Sequence, residues 1–348
     1  MLSHCTYLFV EESQNVIVLM IRTMGAVGVD LFFVLSGYLI GGLMLKEIQK
    51  GHTDFLHLVT FWKRRWLRTL PNYFLILLLN IALFYLFTNE LSDNLSSYFV
   101  FLQNFSSPHP DFFTEVWSLS IEEYAYLVLP AFMFVAFALF KRNQTSLFLW
   151  TTVILILLGF LLKLRFYVEA DIDTYKDWSA GFRKVVIYRL DSIYMGFLLI
   201  YIIRKSPLFL KKWKFILLSL GLFIFTGLHL LIYKLQLQPQ THLGFFTFVY
   251  LPIISICCAL IFPYAIHTKR LIKVKNLIYF VSTRSYAIYL INFSLILMSI
   301  HNFFDVDSIP PLFKLFLCLI YLTLTVVLSN LIYLYFERPI LRYRDRIR

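Results

Sequence analysis

Charge is what this sequence has least of. Only 15% of its 348 residues are Asp, Glu, Lys or Arg, while 59% are apolar. Several apolar runs reach the roughly 20 residues needed to cross a bilayer, which excludes an ordinary soluble domain and points to a polytopic membrane protein. Cysteine is scarce too. Cys5, Cys257, Cys258 and Cys318 sit inside or beside apolar runs without metal-ligand spacing, so neither a disulfide framework nor a zinc site is indicated. No polar linker, internal repeat or low-complexity stretch marks a second domain, and residues 1–348 read as one transmembrane domain. The first apolar segment lacks the basic leader and small-residue cleavage site of a signal peptide.

The expected fold class is all-α, a membrane helix bundle. Complete spans are predicted at about 24–46, 71–88, 121–140, 145–162, 185–203, 214–234, 243–266, 277–300 and 312–336. The net charge of +12 would suggest nucleic acid in a soluble protein. Here it follows the loops instead, and no nucleic-acid partner is expected. Alternate loops and the C-terminal tail carry 22 Lys and Arg, among them Lys46, Lys141, Arg142, Arg204, Lys269, Arg270, Lys273 and Arg348. The remaining loops carry 7, including Arg22 and Lys163. That bias places the first set and the C-terminus in the cytoplasm and residues 11–23 outside. An odd number of spans then makes 1–10 the outer half of a helix begun in the cytoplasm, so a tenth, truncated first helix is expected.

The run Gly25–Ile40, GAVGVDLFFVLSGYLI, sets one carboxylate, Asp30, into a spanning helix, where a charge normally faces a partner or a polar interior. Its glycines and Ser36 let neighbouring helices approach closely. Counting 1.5 Å per residue puts Asp30 roughly 9 Å and His4 roughly 10 Å below the outer surface. Glu122, Glu123, Arg189 and Asp191 open spans from the same side, so the acid–base groups gather outward. A histidine oriented by a carboxylate is the usual general base for a hydroxyl acceptor.

The anion-binding signature lies at the other end. In FWKRRWLRTLPNY, Phe61–Tyr73, Arg64 and Arg68 share a helix face, as do Arg65 and Arg68. Guanidinium forks suit phosphates, and Trp62 and Trp66 could stack on a base. On composition alone a basic, Trp-rich helix is more often a lipid-headgroup anchor, and a packing role is the lesser alternative for a lone intramembrane Asp or His. Asn292, Arg284 and Glu337 read as structural. Together the two ends suggest chemistry across the bilayer, with a phosphorylated cytosolic donor and an acceptor outside.

Several segments in order resemble the acyltransferase-3 family of integral-membrane O-acyltransferases, which modify lipopolysaccharide O-antigens, capsules, exopolysaccharides and nodulation factors. They are GVDLFFVLSGYLI (Gly28–Ile40), FWKRRWLRTLPNY (Phe61–Tyr73) and VWSLSIEEYAYLVLP (Val116–Pro130). Weaker matches are YRLDSIYMGFL, STRSYAIYLIN and FERPILR. The resemblance implies ten helices and a catalytic histidine in the first, matched by LSH at Leu2–His4. The family's arginine some ten residues earlier falls before this sequence begins. Asn292 stands where many members carry histidine.

The resulting expectation is an inner-membrane O-acyltransferase, most simply an acetyltransferase. It would use acetyl-CoA or another acyl-CoA, bound from the cytoplasm at Arg64, Arg65 and Arg68, and no metal. His4 is read either as general base on a sugar hydroxyl or as transient acyl acceptor. Asp30 and Glu122 orient it or the acceptor, Glu123 and Arg189 stand behind them, and Trp117 and Tyr126 line the acceptor site. The acceptor partner is a glycan or lipid-linked sugar, with membrane lipids around the bundle. A carrier or flippase for polysaccharide precursors is the alternative, although the inverted repeats and mid-membrane breaks it predicts are not visible. A non-catalytic partner of an envelope complex is a third reading.

Overall fold

Without water inside a bilayer, a long apolar segment satisfies its backbone polar groups most simply by coiling into a helix, and the chain does so throughout. A computed structural model describes residues 1–10, 15–140, 143–268 and 274–346. The loop residues Lys141, Arg142, Lys269, Arg270, Lys273 and Arg348, used above for orientation, and residues 11–14 of the expected outer segment lie outside the described residues.

The short helix α1 (Leu2–Cys5) runs into a tight turn at Thr6–Leu8. There follow α2 (Val16–Gln49), α3 (Phe55–Thr88), α4 (Trp117–Leu139), α5 (Gln144–Glu169) and α6 (Leu190–Lys205). The bundle is completed by α7 (Pro207–Lys234), α8 (Leu243–Ile266), α9 (Lys275–Phe303) and α10 (Pro311–Arg344). Eight helices among the described residues are long and apolar enough to span a membrane. The ninth expected span is α6, whose 16 residues make roughly 24 Å of helix. Its first expected residues form the separate turn Val186–Tyr188, and the helix is enclosed in the bundle, with Ile193, Tyr194, Gly196 and Phe197 all buried. The fold is an all-α polytopic membrane bundle.

Five helix starts differ from expectation by four residues or more, those of α2, α3, α4, α6 and α7, and the first three bear on the site. α2 begins at Val16, where the Asn15 side chain accepts from the Ile17 amide. Residues 16–23 are therefore helical, and Arg22 is not a loop residue. α3 begins at Phe55, capped by Asp54, and runs through Pro71. The basic stretch is thus continuous with the spanning helix rather than a separate segment before it. α4 begins at Trp117, after a turn at Thr114–Val116. Lys163, counted above as a loop residue, lies within α5 and is buried.

α2 and α6 make the closest crossing. A Cβ added at Gly37 would stand 1.9 Å from the Ile193 carbonyl oxygen, and one at Gly196 would stand 2.2 Å from that of Val34. Only glycine lets the two backbones meet at this distance, as expected for packing that has no hydrophobic drive between helices in lipid. Gly25 fits against Ser3 in the same way, docking α1 on α2. Large apolar residues such as Leu208, Phe223 and Leu312 remain exposed on the outside, where lipid would cover them.

Candidate active site

The polar interior starts where α3 and α4 run antiparallel. The Trp62 indole N–H donates to the Tyr126 carbonyl at 2.9 Å. One turn on, Arg65 Nη2 stands 2.8 Å from Glu122 Oε1 and 3.5 Å from Glu123 Oε1. Thr69 donates to Glu123 at 3.0 Å. Ser36 of α2 donates to Glu122, and so does the Tyr126 hydroxyl, at 3.1 Å. The Arg65 guanidinium lies 3.6 Å from the centre of the Tyr126 ring. One buried cation thus serves two buried carboxylates, and three hydroxyls supply the remaining hydrogen bonds, two to Glu122 and one to Glu123; buried charges persist only when paired and bonded in this way.

This corrects the expected division of the site, which put Arg65 at one membrane face and Glu122 and Glu123 at the other. Ten residues of α3 precede Arg65, about 15 Å of helix, and so carry it well into the bundle. Glu122 in turn lies beneath a covered segment in which Tyr98, Asn104 and Phe113 are buried. Tyr126 belongs to this ion-pair centre, whereas Trp117 packs edge-on against Phe33 with the Arg183 guanidinium 5.1 Å from its ring.

A cavity of about 650 Å³ enters the bundle beside that centre. Arg64, Arg65 and Arg68 line it together with Ile40 and Met44 of α2 and Pro130, Met133, Phe134 and Phe137 of α4. Lys50, His52, Asp54, His57 and Arg344 are also in its lining. The imidazoles of His52 and His57 stack at 4.1 Å, each hydrogen-bonded through Nδ1 to a carboxylate, Glu47 and Asp54 respectively. Trp62 and Trp66 stack on each other, at 6.2 Å, and are not part of the lining. The flat rings that meet this space are imidazoles and phenyls rather than the expected indoles.

His4 lies elsewhere. Its Nδ1 is 2.6 Å from Asn292 Oδ1, and its ring meets Phe293 edge-on at 4.9 Å. No hydrogen bond or ion pair among the described residues joins it to Asp30 or Glu122. The expected pairing of Asp30 with His4 across α1 and α2 does not form, because Arg189 takes the carboxylate in a fully buried ion pair. A second pair, buried Lys163 with half-buried Asp191 at 2.5 Å, ties α5 to α6. Asn292, read above as structural, is the residue that the structure places against His4. The missed signal was its spacing from Tyr289 and Tyr286, which repeats every three residues along one face of an apolar helix.

That face connects the two regions. The Tyr286 hydroxyl donates to the Thr69 carbonyl at 2.9 Å. The Tyr289 hydroxyl meets Ser118 at 2.6 Å and donates to the Glu115 carbonyl. The Glu115 carboxylate accepts from the Ser294 amide and hydroxyl. Six residues separate Tyr286 from Asn292, about 9 Å along the axis. A line of polar groups therefore leads from the arginine-lined cavity to His4 through an otherwise apolar interior. Such an arrangement fits an anionic ligand at one end and proton transfer at the other.

A family described as an acyltransferase domain matches residues 1–332. Among curated proteins, the O-acetyltransferase OatA of Staphylococcus aureus is 27% identical over 343 residues, covering 91% of this chain and 52% of its own length. The peptidoglycan O-acetyltransferase OatA of Listeria monocytogenes is 34% identical over 128 residues, 32% of this chain and 20% of its own length. The chain thus spans about half the length of the Staphylococcus relative. No solved structure matches it.

Proposed function

This chain belongs to the acyltransferase domain family, and on that footing we propose that it is a membrane O-acetyltransferase acting on a hydroxyl of a surface glycan. The names of its relatives support the group moved and, for the Listeria protein, a peptidoglycan acceptor. The donor is an acyl-CoA, which supplies an activated thioester. The observation that carries this reading is the cavity of about 650 Å³ lined by three arginines of one helix. Arg64 and Arg68 hold the donor phosphates, and Arg65 stays fixed by Glu122 and Glu123 at the inner end. Their forks match phosphate oxygens two at a time. The cavity mouth faces the cytoplasm of a bacterial inner membrane, in keeping with the basic loops.

His4 takes the proton of the acceptor hydroxyl as the hydroxyl oxygen attacks the acyl carbon, an effect worth typically 10²–10⁴-fold; the thioester C–S bond breaks, and CoA leaves as the thiol with the proton balance restored. Glu122 and Glu123 act by holding Arg65, Tyr126 stacks under that guanidinium, and Asp30 and Arg189 act by fixing α2 against α6. Trp117 lines the approach of the acceptor.

CoA titrated calorimetrically into the purified, nanodisc-embedded chain tests the donor site. The paired substitution Arg64→Ala with Arg68→Ala is expected to raise Kd on the order of 100-fold, two lost charge-assisted contacts at about 1.5 kcal/mol each. Unchanged affinity would return the patch to lipid anchoring.

A further inference from the structure

We infer that Asn292 is a positioning residue that holds His4 as the Nδ1–H tautomer and so presents Nε2, with its lone pair, as the base. The inference rests on the proposed role of His4 but is argued from the hydrogen-bond inventory of one buried amide. Asn292 Nδ2 is 2.8 Å from the Ile288 carbonyl and 2.8 Å from that of Tyr289. Both contacts require a donor, so this end of the amide is the NH₂ group; the flipped amide would set three oxygens against one another. Oδ1 therefore faces His4 and accepts from Nδ1 at 2.6 Å, and from the Tyr321 hydroxyl at 3.2 Å. An amide oxygen cannot donate, so the proton of that bond sits on Nδ1. A neutral imidazole then carries its free pair on Nε2, which has no hydrogen-bond partner among the described residues.

The local backbone supports the same geometry. Asn292 opens a π-helical segment, Asn292–Leu297, within α9. Widening a helix by one residue shifts the side chains beyond it, and such bulges recur at functional sites. Phe293 is thereby packed against the imidazole edge, and Ser294 reaches Glu115. The Asn292 side chain is 3% exposed and all four of its hydrogen-bonding positions are used. The orienting group is therefore neutral, where many enzymes use a carboxylate.

The test reads the tautomer directly. The full chain, labelled with [15N]histidine, is studied by NMR in nanodiscs near neutral pH, and His4 is assigned as the signal absent from His4→Gln. The wild type is expected to show a protonated Nδ1 and an unprotonated Nε2. Asn292→Leu is expected to move the proton to Nε2, the commoner tautomer of free imidazole, whereas Asn292→Asp, which keeps an acceptor oxygen, retains it on Nδ1. In cells, base-labile O-acetyl esters on surface glycan should fall on the order of 100-fold with Asn292→Leu and recover with Asn292→Asp. A wild-type proton on Nε2, or a tautomer unmoved by Asn292→Leu, overturns the inference. Full esterification with His4→Ala would instead overturn the base role and leave the tautomer result standing.

Discussion

A buried ion pair is least forgiving when it is halved. Asp30 and Arg189 are both almost wholly enclosed, so removing either leaves a charge without partner or water. Asp30→Ala is expected to cost about 3–5 kcal/mol, whereas the joint change Asp30→Leu with Arg189→Met should recover most of it. Thermal unfolding of the detergent-solubilised single and double variants measures both; equal losses in all of them would mean the pair is not coupled. The residue types at the site were legible: an intramembrane Asp, a histidine, a row of arginines. Their partners were not, because Asp30 meets Arg189 across 159 positions and His4 meets Asn292 across 288. Helical periodicity reports neighbours three or four residues away and nothing beyond.

Elements fail differently, at their ends and crossings. The Asp54 side chain accepts from the His57 amide at 3.0 Å and starts the helix that carries all three arginines. Asp54→Ala should cost about 1 kcal/mol, measurable as a lowered melting temperature, with weaker CoA binding if fraying reaches Arg64. Gly196→Leu is a harsher change, since its Cβ already points at the Val34 backbone. It is expected to force α2 from α6 and to abolish a monodisperse peak in size-exclusion chromatography; a well-folded variant would show the crossing to be adjustable. The spans could be read from sequence because an apolar run of bilayer length is a local property. Their starts could not. The first half of α3 is charged and Trp-rich, so hydropathy ended the helix at Pro71, and Asp54 was not recognised as a cap. On that reading the arginines sit on a helix outside the membrane, at the face opposite Glu122, instead of within the same span.

For the molecule as a whole, the far end of the bundle is closed by a connection between α3 and α4 that packs rather than dangles. His109 in this connection is buried, its Nδ1 against the Pro110 carbonyl, and burial lowers its pKa to about 4. The unfolded chain binds that proton nearer pH 6.5. Between these values the unfolded state holds more protons, so stability rises with pH, is complete above about 6.5, and is lost as pH falls toward 4. The melting temperature is expected to drop between pH 7 and 5, and His109→Gln should flatten the dependence; an equal slope in the variant would assign it to other groups. That the chain folds as an all-α bundle of many spanning helices was readable from composition. The meeting of both polar ends along one face of α9 was not, because it depends on which way α9 is turned.

The Asp30–Arg189 pair also sets a constraint in time. At about 5–20 residues per second of synthesis, the 159 positions between them represent roughly 8–30 s during which α2 exists without α6. Throughout that interval the carboxylate has no guanidinium, and a lone aspartate at the centre of a spanning helix costs about 2.5–3.5 kcal/mol on insertion scales. The helix whose glycines make the tightest crossing is thus also one whose buried carboxylate finds its partner only after α6 has been made. The α2–α6 crossing is therefore expected to close only once α6 is in place, whatever the state of the helices between them.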